Sequence, residues 1–383
     1  MSTPTPETID ERHVALEGKK LLYFGGCDYL RLSHQAEIRL SAVESLRNEP
    51  SLSSSASRAT TGNRSIYLQL EKLLTALNRT EDTLLTGAGY LANLSLSSYL
   101  SEAADGLLID AQCHPSLRDA AKLSGLPVRY YQHCNVRSAA EISSALPDNQ
   151  HWFLLSESMF GLDGSVMPLN AFRKMLPVSV SFIIDDAHGF GVLGHNFWNE
   201  GDTSSGDARA VIKTLSLAKT VGSHGGAIAG PLKVTNSIRN QGATWAGHTP
   251  FPMHLAHAAI KSIEWLSTKP ELGLQLSHRI KLMSNILSDL RLLKKPGCMS
   301  PVFSFRFEEN LTEESIQAIN NLVIDSGIYP SFIRYPGGMN HLIFRVAISS
   351  SHQKGDLEKL GKILMQLSQS FGCEQFLLSD QLS

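Results

Sequence analysis

Nothing in these 383 residues approaches the roughly 18 consecutive apolar positions of a membrane-crossing helix, so none is expected. Charge of one sign is also missing. Lys and Arg number 34 against 36 Asp and Glu, a net charge of −2, which gives no reason to expect nucleic acid or an anionic membrane as partner. Cysteine is scarce: five thiols, at 27, 113, 134, 298 and 373, with no C-x-x-C pair. That usage suits reduced thiols in a cytoplasm rather than a disulfide framework or a zinc site. The 14 histidines form no H-E-x-x-H motif, and His133 beside Cys134 is a poor arrangement for chelating one ion, so no metal is expected. The opening stretch MSTPTPETIDER has no apolar core and carries acids, unlike a secretory or transit signal; the expected location is the cytoplasm.

What is present is an ordinary globular composition, 42% hydrophobic and 18% charged, long enough for one large domain and a smaller one. Residues 33–47 start with Ser and show helical spacing. A small-residue loop follows at 53–64. The stretch from Ser65 then returns to the helical period, with Ile66, Leu70, Leu73, Leu74 and Leu77 on one face. Short apolar runs next alternate with helical ones: DTLLTG, GLLID, HWFLLSE and SFIID. That alternation predicts βαβ units, an α/β class with a mainly parallel sheet. From about residue 251 the pattern changes to a helix-rich stretch (252–293), then VFSFRFEE, a helix near 312–326, HLIFRVAIS and a last helix near 354–370. The expected organisation is an N-terminal segment (1–50) joining the small domain, a large domain (51–250), and a helical connection with an α+β small domain (251–383).

The segment FIIDDAHGFGVLG, residues 182–194, ends in G-x-G-x-x-G. A dinucleotide site is nonetheless a poor reading. In that motif the glycines form the strand-to-helix turn itself, whereas here Asp-Asp-Ala-His intervenes and no helical pattern follows. A carboxylate ending a buried strand suits another task, holding a proton on something cationic. Ligands of open α/β sheets sit beyond the carboxyl ends of the strands. The polar residues there are Gly89 and Tyr90, His114, Glu157, and Asp185 with His188. Ser216 and Lys219 follow in TLSLAKTVGSHGG. An acid, a lysine, a flat ring and phosphate-friendly backbone are the set that pyridoxal 5′-phosphate requires. Lys213 competes with Lys219 for the reactive role but lacks the downstream glycines. Asp186 competes with Asp185 but faces the other way along a strand.

The motifs SRATTGNRSIYLQLE, GYLANL, DAQCHPSL, SESMFGLDG, DDAHGFGVLG, AKTVGSHGGA and FRVAISSSH occur in this order over nearly the whole chain. In this the chain resembles the α-oxoamine synthases, fold-type I pyridoxal-phosphate enzymes that condense an amino acid with an acyl-CoA or acyl-carrier thioester. The resemblance implies a homodimer, with ATTGNR and the segment around GHTPF facing the partner's cofactor. It implies Lys219 as the Schiff-base lysine, Asp185 opposite the pyridine nitrogen, His188 near the ring hydroxyl and His114 stacked on the ring. Gly89 and Tyr90 would supply backbone contacts to the phosphate, and Ser216 a hydroxyl. Arg345 would clamp the substrate carboxylate, with Glu157 and Cys27 also on the substrate side. Several positions depart from the family pattern: Cys27 replaces an asparagine, Arg31 a glycine and Gly161 a serine. WAGHTP lacks a Ser/Thr pair, although Thr249 is a substitute, and SLAK replaces a Thr-x-Gly-Lys-like run. The cofactor set is kept while the substrate surroundings change, so the amino acid (alanine or glycine class) and the acyl chain stay open. A non-catalytic relative would lose the lysine; this chain keeps it.

Overall fold

Seven apolar runs become the strands of one central sheet: β4 (Asp82–Thr86), β5 (Gly106–Asp110), β6 (Val128–Tyr131), β7 (Trp152–Glu157), β8 (Val180–Asp185), β9 (Val211–Ser216) and β10 (Gly226–Gly230). The computed structural model describes residues 5–194, 198, 209, 211–294, 300–308, 311–333 and 342–379. Cys298, His341 and most of the run after Gly194 lie outside these residues. The sheet order is β4-β10-β9-β8-β7-β5-β6, parallel from β9 to β6. β10 alone runs antiparallel to both its neighbours, β4 and β9. Strands β5, β7 and β10 are buried along their whole length, as expected of a sheet covered on both faces.

Local signals set the helices that follow the strands. His114 caps the helix Pro115–Ser124, accepting from the Ser116 N–H, and Pro115 stands at its first position. Gly125 ends that helix in a left-handed conformation, φ 70°. The helix Ser65–Asn78 buries Tyr67 and Glu71 together with Ile66, Leu70 and Leu74 of the stripe read from sequence, while Leu73 and Leu77 are half-buried. The Tyr67 hydroxyl donates to the Phe251 carbonyl at 2.7 Å, and Glu71 receives the Arg58 guanidinium and the Leu85 N–H.

The stretch 252–293 divides into two helices, Met253–Thr268 and Glu271–Asp289, with Pro270 between them. Beyond them β11 (Val302–Arg306), β12 (Phe332–Ile333), β13 (Ile343–Ala347) and β14 (Glu374–Gln375) form an antiparallel sheet ordered β12-β13-β11-β14. The helices Glu313–Asp325 and Lys354–Phe371 accompany it. The N-terminal strands β1 (Glu7–Thr8), β2 (His13–Leu16) and β3 (Lys19–Leu22) make a small third sheet. The chain leaving β3 joins the C-terminal region: Leu22 N–H donates to the Gly327 carbonyl at 2.9 Å, and Ala347 N–H to the Phe24 carbonyl at 2.6 Å.

Candidate active site

Asp185 ends β8 with its carboxylate on the face covered by the helix Gly89–Ala103. Its Oδ1 accepts the Ala187 N–H at 2.9 Å, and its Oδ2 accepts from Asn93 Nδ2 at 2.6 Å. Asn93 lies one helical turn beyond Gly89. Its amide also donates to Ser116 Oγ at 2.9 Å and accepts from Thr214 Oγ1 at 2.7 Å. Ser116 Oγ in turn meets His114 Nδ1 at 2.7 Å. One chain of hydrogen bonds therefore runs from Thr214 through Asn93 to both Asp185 and His114. Sequence reasoning missed Asn93, Ser116 and Thr214; the signal was there in GYLANL, where Asn93 stands four residues after Gly89.

Lys219 lies in the turn between β9 and β10. The turn is closed by Leu217 N–H to the Gly225 carbonyl at 2.9 Å and by Gly222 N–H to the Lys219 carbonyl at 2.8 Å. The charge of Lys219 acts on His114, Glu157 and His188, so these four groups share one electrostatic environment. Burial holds the His188 imidazole well below its usual pKa, and Lys219, Arg345 and His114 push the same way, so His188 is neutral. Burial likewise lowers His114, against the pull of Asp185. Burial and the neighbouring Asp185 push up the pKa of Glu157, whose Oε1 accepts the His114 N–H at 2.8 Å.

The helix Gly89–Ala103 starts after an extended Ala88 with no side-chain cap, leaving its first N–H groups open to an anion. A Cβ on Gly89 would lie 2.9 Å from Ser216 Cβ, and one on Gly226 would lie 2.4 Å from the Ala88 carbonyl oxygen. Glycine at these two positions thus permits a close-walled cradle with the Ser216 hydroxyl beside a helix N-terminus, a fit for a phosphate. The half-exposed Tyr90 presents its ring edge to His114 at a centroid distance of 6.2 Å, and its hydroxyl donates to Asp119.

Of the substrate-side residues, Arg345 and Cys27 meet in a second cluster, while Glu157 lies against His114. Arg345, on β13, does not point to solvent: its Nε donates to the Gly161 carbonyl at 2.6 Å, and its terminal nitrogens reach the Gly26 carbonyl at 3.4 Å and Cys27 Sγ at 3.7 Å. Tyr29, absent from the sequence reading, donates or accepts at His188 Nδ1 over 2.8 Å. Gly161 has a steric origin, because a Cβ there would fall 2.1 Å from His188 Nε2. Two departures from the family pattern, Cys27 and Gly161, therefore touch Arg345, and Gly161 also touches His188.

Arg31 is different. It is buried, 4% exposed, and not a solvated surface residue. It adopts φ 55°, which explains why glycine suits the position. Its guanidinium donates to the Tyr23 carbonyl at 3.3 Å and covers the Tyr23 ring at 5.7 Å.

Asp110 engages His133 rather than His114. His133 Nδ1 meets Asp110 Oδ1 at 3.0 Å and its Nε2 meets Ser165 Oγ at 2.8 Å. Asp110, His133 and Cys134 are the one grouping among the described residues with ligand atoms close enough for an ion, but both imidazole nitrogens are committed to hydrogen bonds. Asp186 turns away from Asp185 and accepts from Ser158 Oγ at 2.5 Å.

Residues 20–364 match the family described as Aminotransferase class I and II. A protein named "Putative 8-amino-7-oxononanoate synthase" from Nostoc punctiforme is 30% identical over 349 residues, 91% of this chain and 87% of its own. One of the same name from Methanocaldococcus jannaschii is 29% identical over 346 residues, 89% and 90% respectively. Among solved structures, serine palmitoyltransferase from S. paucimobilis superimposes with a TM-score of 0.85 at 18% identity, covering 95% of this chain and 91% of that one. The 8-amino-7-oxononanoate synthase of Francisella tularensis gives 0.74 at 22%, covering 91% and 98%. The mostly parallel sheet, the paired smaller sheet and this match over nearly the whole chain agree: the protein has the fold-type I pyridoxal-phosphate transferase fold and belongs to the aminotransferase class I and II family.

Proposed function

We propose that this protein is a pyridoxal-phosphate-dependent C-acyltransferase that joins an amino acid of the alanine or glycine class to an acyl thioester, in the manner of 8-amino-7-oxononanoate synthase. The single observation that carries the reading is the Asp185 carboxylate, buried and fixed by Asn93 and the Ala187 N–H, in the same pocket of charge as Lys219 and His114. The relatives' names support the substrate class.

When bound, pyridoxal phosphate supplies a ring that accepts electrons from the substrate α-carbon. The chain's own residues do the rest. The helix N-terminus at Gly89 and the Ser216 hydroxyl hold a phosphate, and His114 offers a flat face fixed by Ser116. Asp185, which Asn93 and the Ala187 N–H keep from rotating, would be the counter-charge for the cofactor's ring nitrogen. Lys219 would hold the cofactor aldehyde, and its amine is the group that would move the α-proton; a positioned proton-transfer group contributes roughly 10²–10⁴-fold. Neutral His188 offers a hydrogen bond without adding positive charge. Arg345, held in plane by Gly161 and Gly26, receives the substrate carboxylate. A decarboxylating step agrees with the 8-amino-7-oxononanoate synthase reading.

Purified protein should be yellow and lose that absorption on borohydride treatment or in Lys219→Ala. Alanine, glycine and serine, each offered with pimeloyl-, acetyl- and palmitoyl-CoA, should release CoA thiol with one combination far above the others. This screen separates the 8-amino-7-oxononanoate synthase reading from its relatives glycine C-acetyltransferase and serine palmitoyltransferase. A colourless protein that releases no thiol and binds a nicotinamide cofactor would sink the proposal.

A further inference from the structure

On the face of the central sheet opposite Asp185 lies a second cavity of about 370 Å³, a volume typical of small-molecule sites. Its walls include Asp186, the glycine turn 189–194 left over from the rejected dinucleotide motif, and Lys213, the lysine left over from the choice of Lys219. The two faces are separated by strand alternation: Thr214 reaches Asn93 on the catalytic face, so Lys213 beside it points the other way.

Lys213 is 7% exposed, yet its ammonium has little to hold. Among the described residues its one hydrogen bond is long, 3.5 Å to the Asn78 carbonyl; the Trp198 ring lies at 3.8 Å, and the charge of Asp186 acts on it. A buried ammonium is costly unless it is paired. Asp186 is the only carboxylate among the described lining residues. It is a weak counter-ion, because burial pushes its pKa up to about 7 and Ser158 donates to its Oδ1. Three further cations, Arg79, Arg173 and Lys269, line the same space, while Leu77, Phe190, Leu266 and Leu272 give it apolar walls.

The geometry points to a second ligand site: this cavity binds an anionic amphiphile, a carboxylate on Lys213 with its hydrocarbon chain along the leucine and phenylalanine walls. The site is independent of the catalytic one, because the whole sheet stands between them. The chemistry is that of a medium-chain fatty acid, and sodium octanoate is the probe.

The holoenzyme is titrated with octanoate and with 1-octanol, followed by calorimetry and by the fluorescence of Trp198. Expected is saturable binding of one octanoate per chain, with the yellow absorption unchanged and octanol bound at least tenfold more weakly. Lys213→Met should lose octanoate by tenfold or more, the scale of one charge-assisted hydrogen bond, and Lys213→Arg should keep it. If Lys213→Met does not fold, the comparison of octanoate with octanol on the unaltered protein decides. Equal binding of the two, unchanged binding by Lys213→Met, a shift of the yellow band, or no saturable binding overturns the site.

Discussion

At the scale of single residues, His352 makes the clearest statement. It is fully buried, stacked on Phe24 at 4.3 Å, with Nδ1 accepting the Ser349 N–H at 2.9 Å and Nε2 at 3.2 Å from the Tyr23 carbonyl. Only the neutral ring satisfies both contacts, and burial pushes its pKa down from 6.5 to about 3. The unfolded chain takes up this proton first as pH falls, so the contribution is whole above about 6.5 and shrinks steadily between there and about 3. By pH 5 the loss is about 2 kcal/mol. Urea midpoints at pH 7.5 and 5 should show it, and His352→Gln should flatten the difference. Gly161 supports a second test. Gly161→Ser should cost about 1–3 kcal/mol through its collision with His188. Adding His188→Ala should return much of that, giving a coupling term in a double-mutant cycle. At this scale the sequence was partly legible. Asp185, Lys219 and His114 could be named from strand ends and motifs, because their positions follow from topology. Asn93, Tyr29 and the Gly161–His188 contact could not, since they depend on which side chains meet across 23 to 159 positions of chain.

At the scale of elements, the helix Ser65–Asn78 is fastened to β4 by a buried charge. Glu71 binds Arg58, side chains 7% and 5% exposed, and accepts the Leu85 N–H at 2.8 Å. Glu71→Ala leaves the buried guanidinium without its counter-charge and the Leu85 N–H without its acceptor, and should cost about 3–5 kcal/mol in thermal or urea unfolding. Glu71 and Tyr67 fall beside the apolar stripe that periodicity picked out, and periodicity sees only hydrophobicity. The same blindness hid β10. GAIAG is too short and too glycine-rich to read as a strand, and it is buried because its neighbours cover it. Its Gly226 presses on the start of the helix Gly89–Ala103. Gly226→Ala should therefore push Ala88 and Gly89 aside and weaken retention of pyridoxal phosphate, measured by dialysis and absorbance, with secondary structure kept.

At the scale of the whole molecule, the α/β and α+β halves were legible because helical and strand periods alternate up to about residue 250 and then change. Sequence predicts the N-terminal segment beside the small domain but not the contacts between them, Leu22 with Gly327 and Phe24 with Ala347. We expect a homodimer in solution, with ATTGNR and GHTPF at the shared boundary. Sedimentation that finds a monomer fully loaded with cofactor would count against it. The contacts of Arg345 with Gly26 and Gly161 also have a meaning in time. A ribosome releases the amino end first, and units fold as they emerge. On the roles proposed here, everything from Gly89 to Lys219 has been translated long before Arg345 exists. The growing polypeptide is thus equipped to capture its cofactor while still unable to grip a substrate, and the last part of the message to be read is what turns a coloured binder into a catalyst.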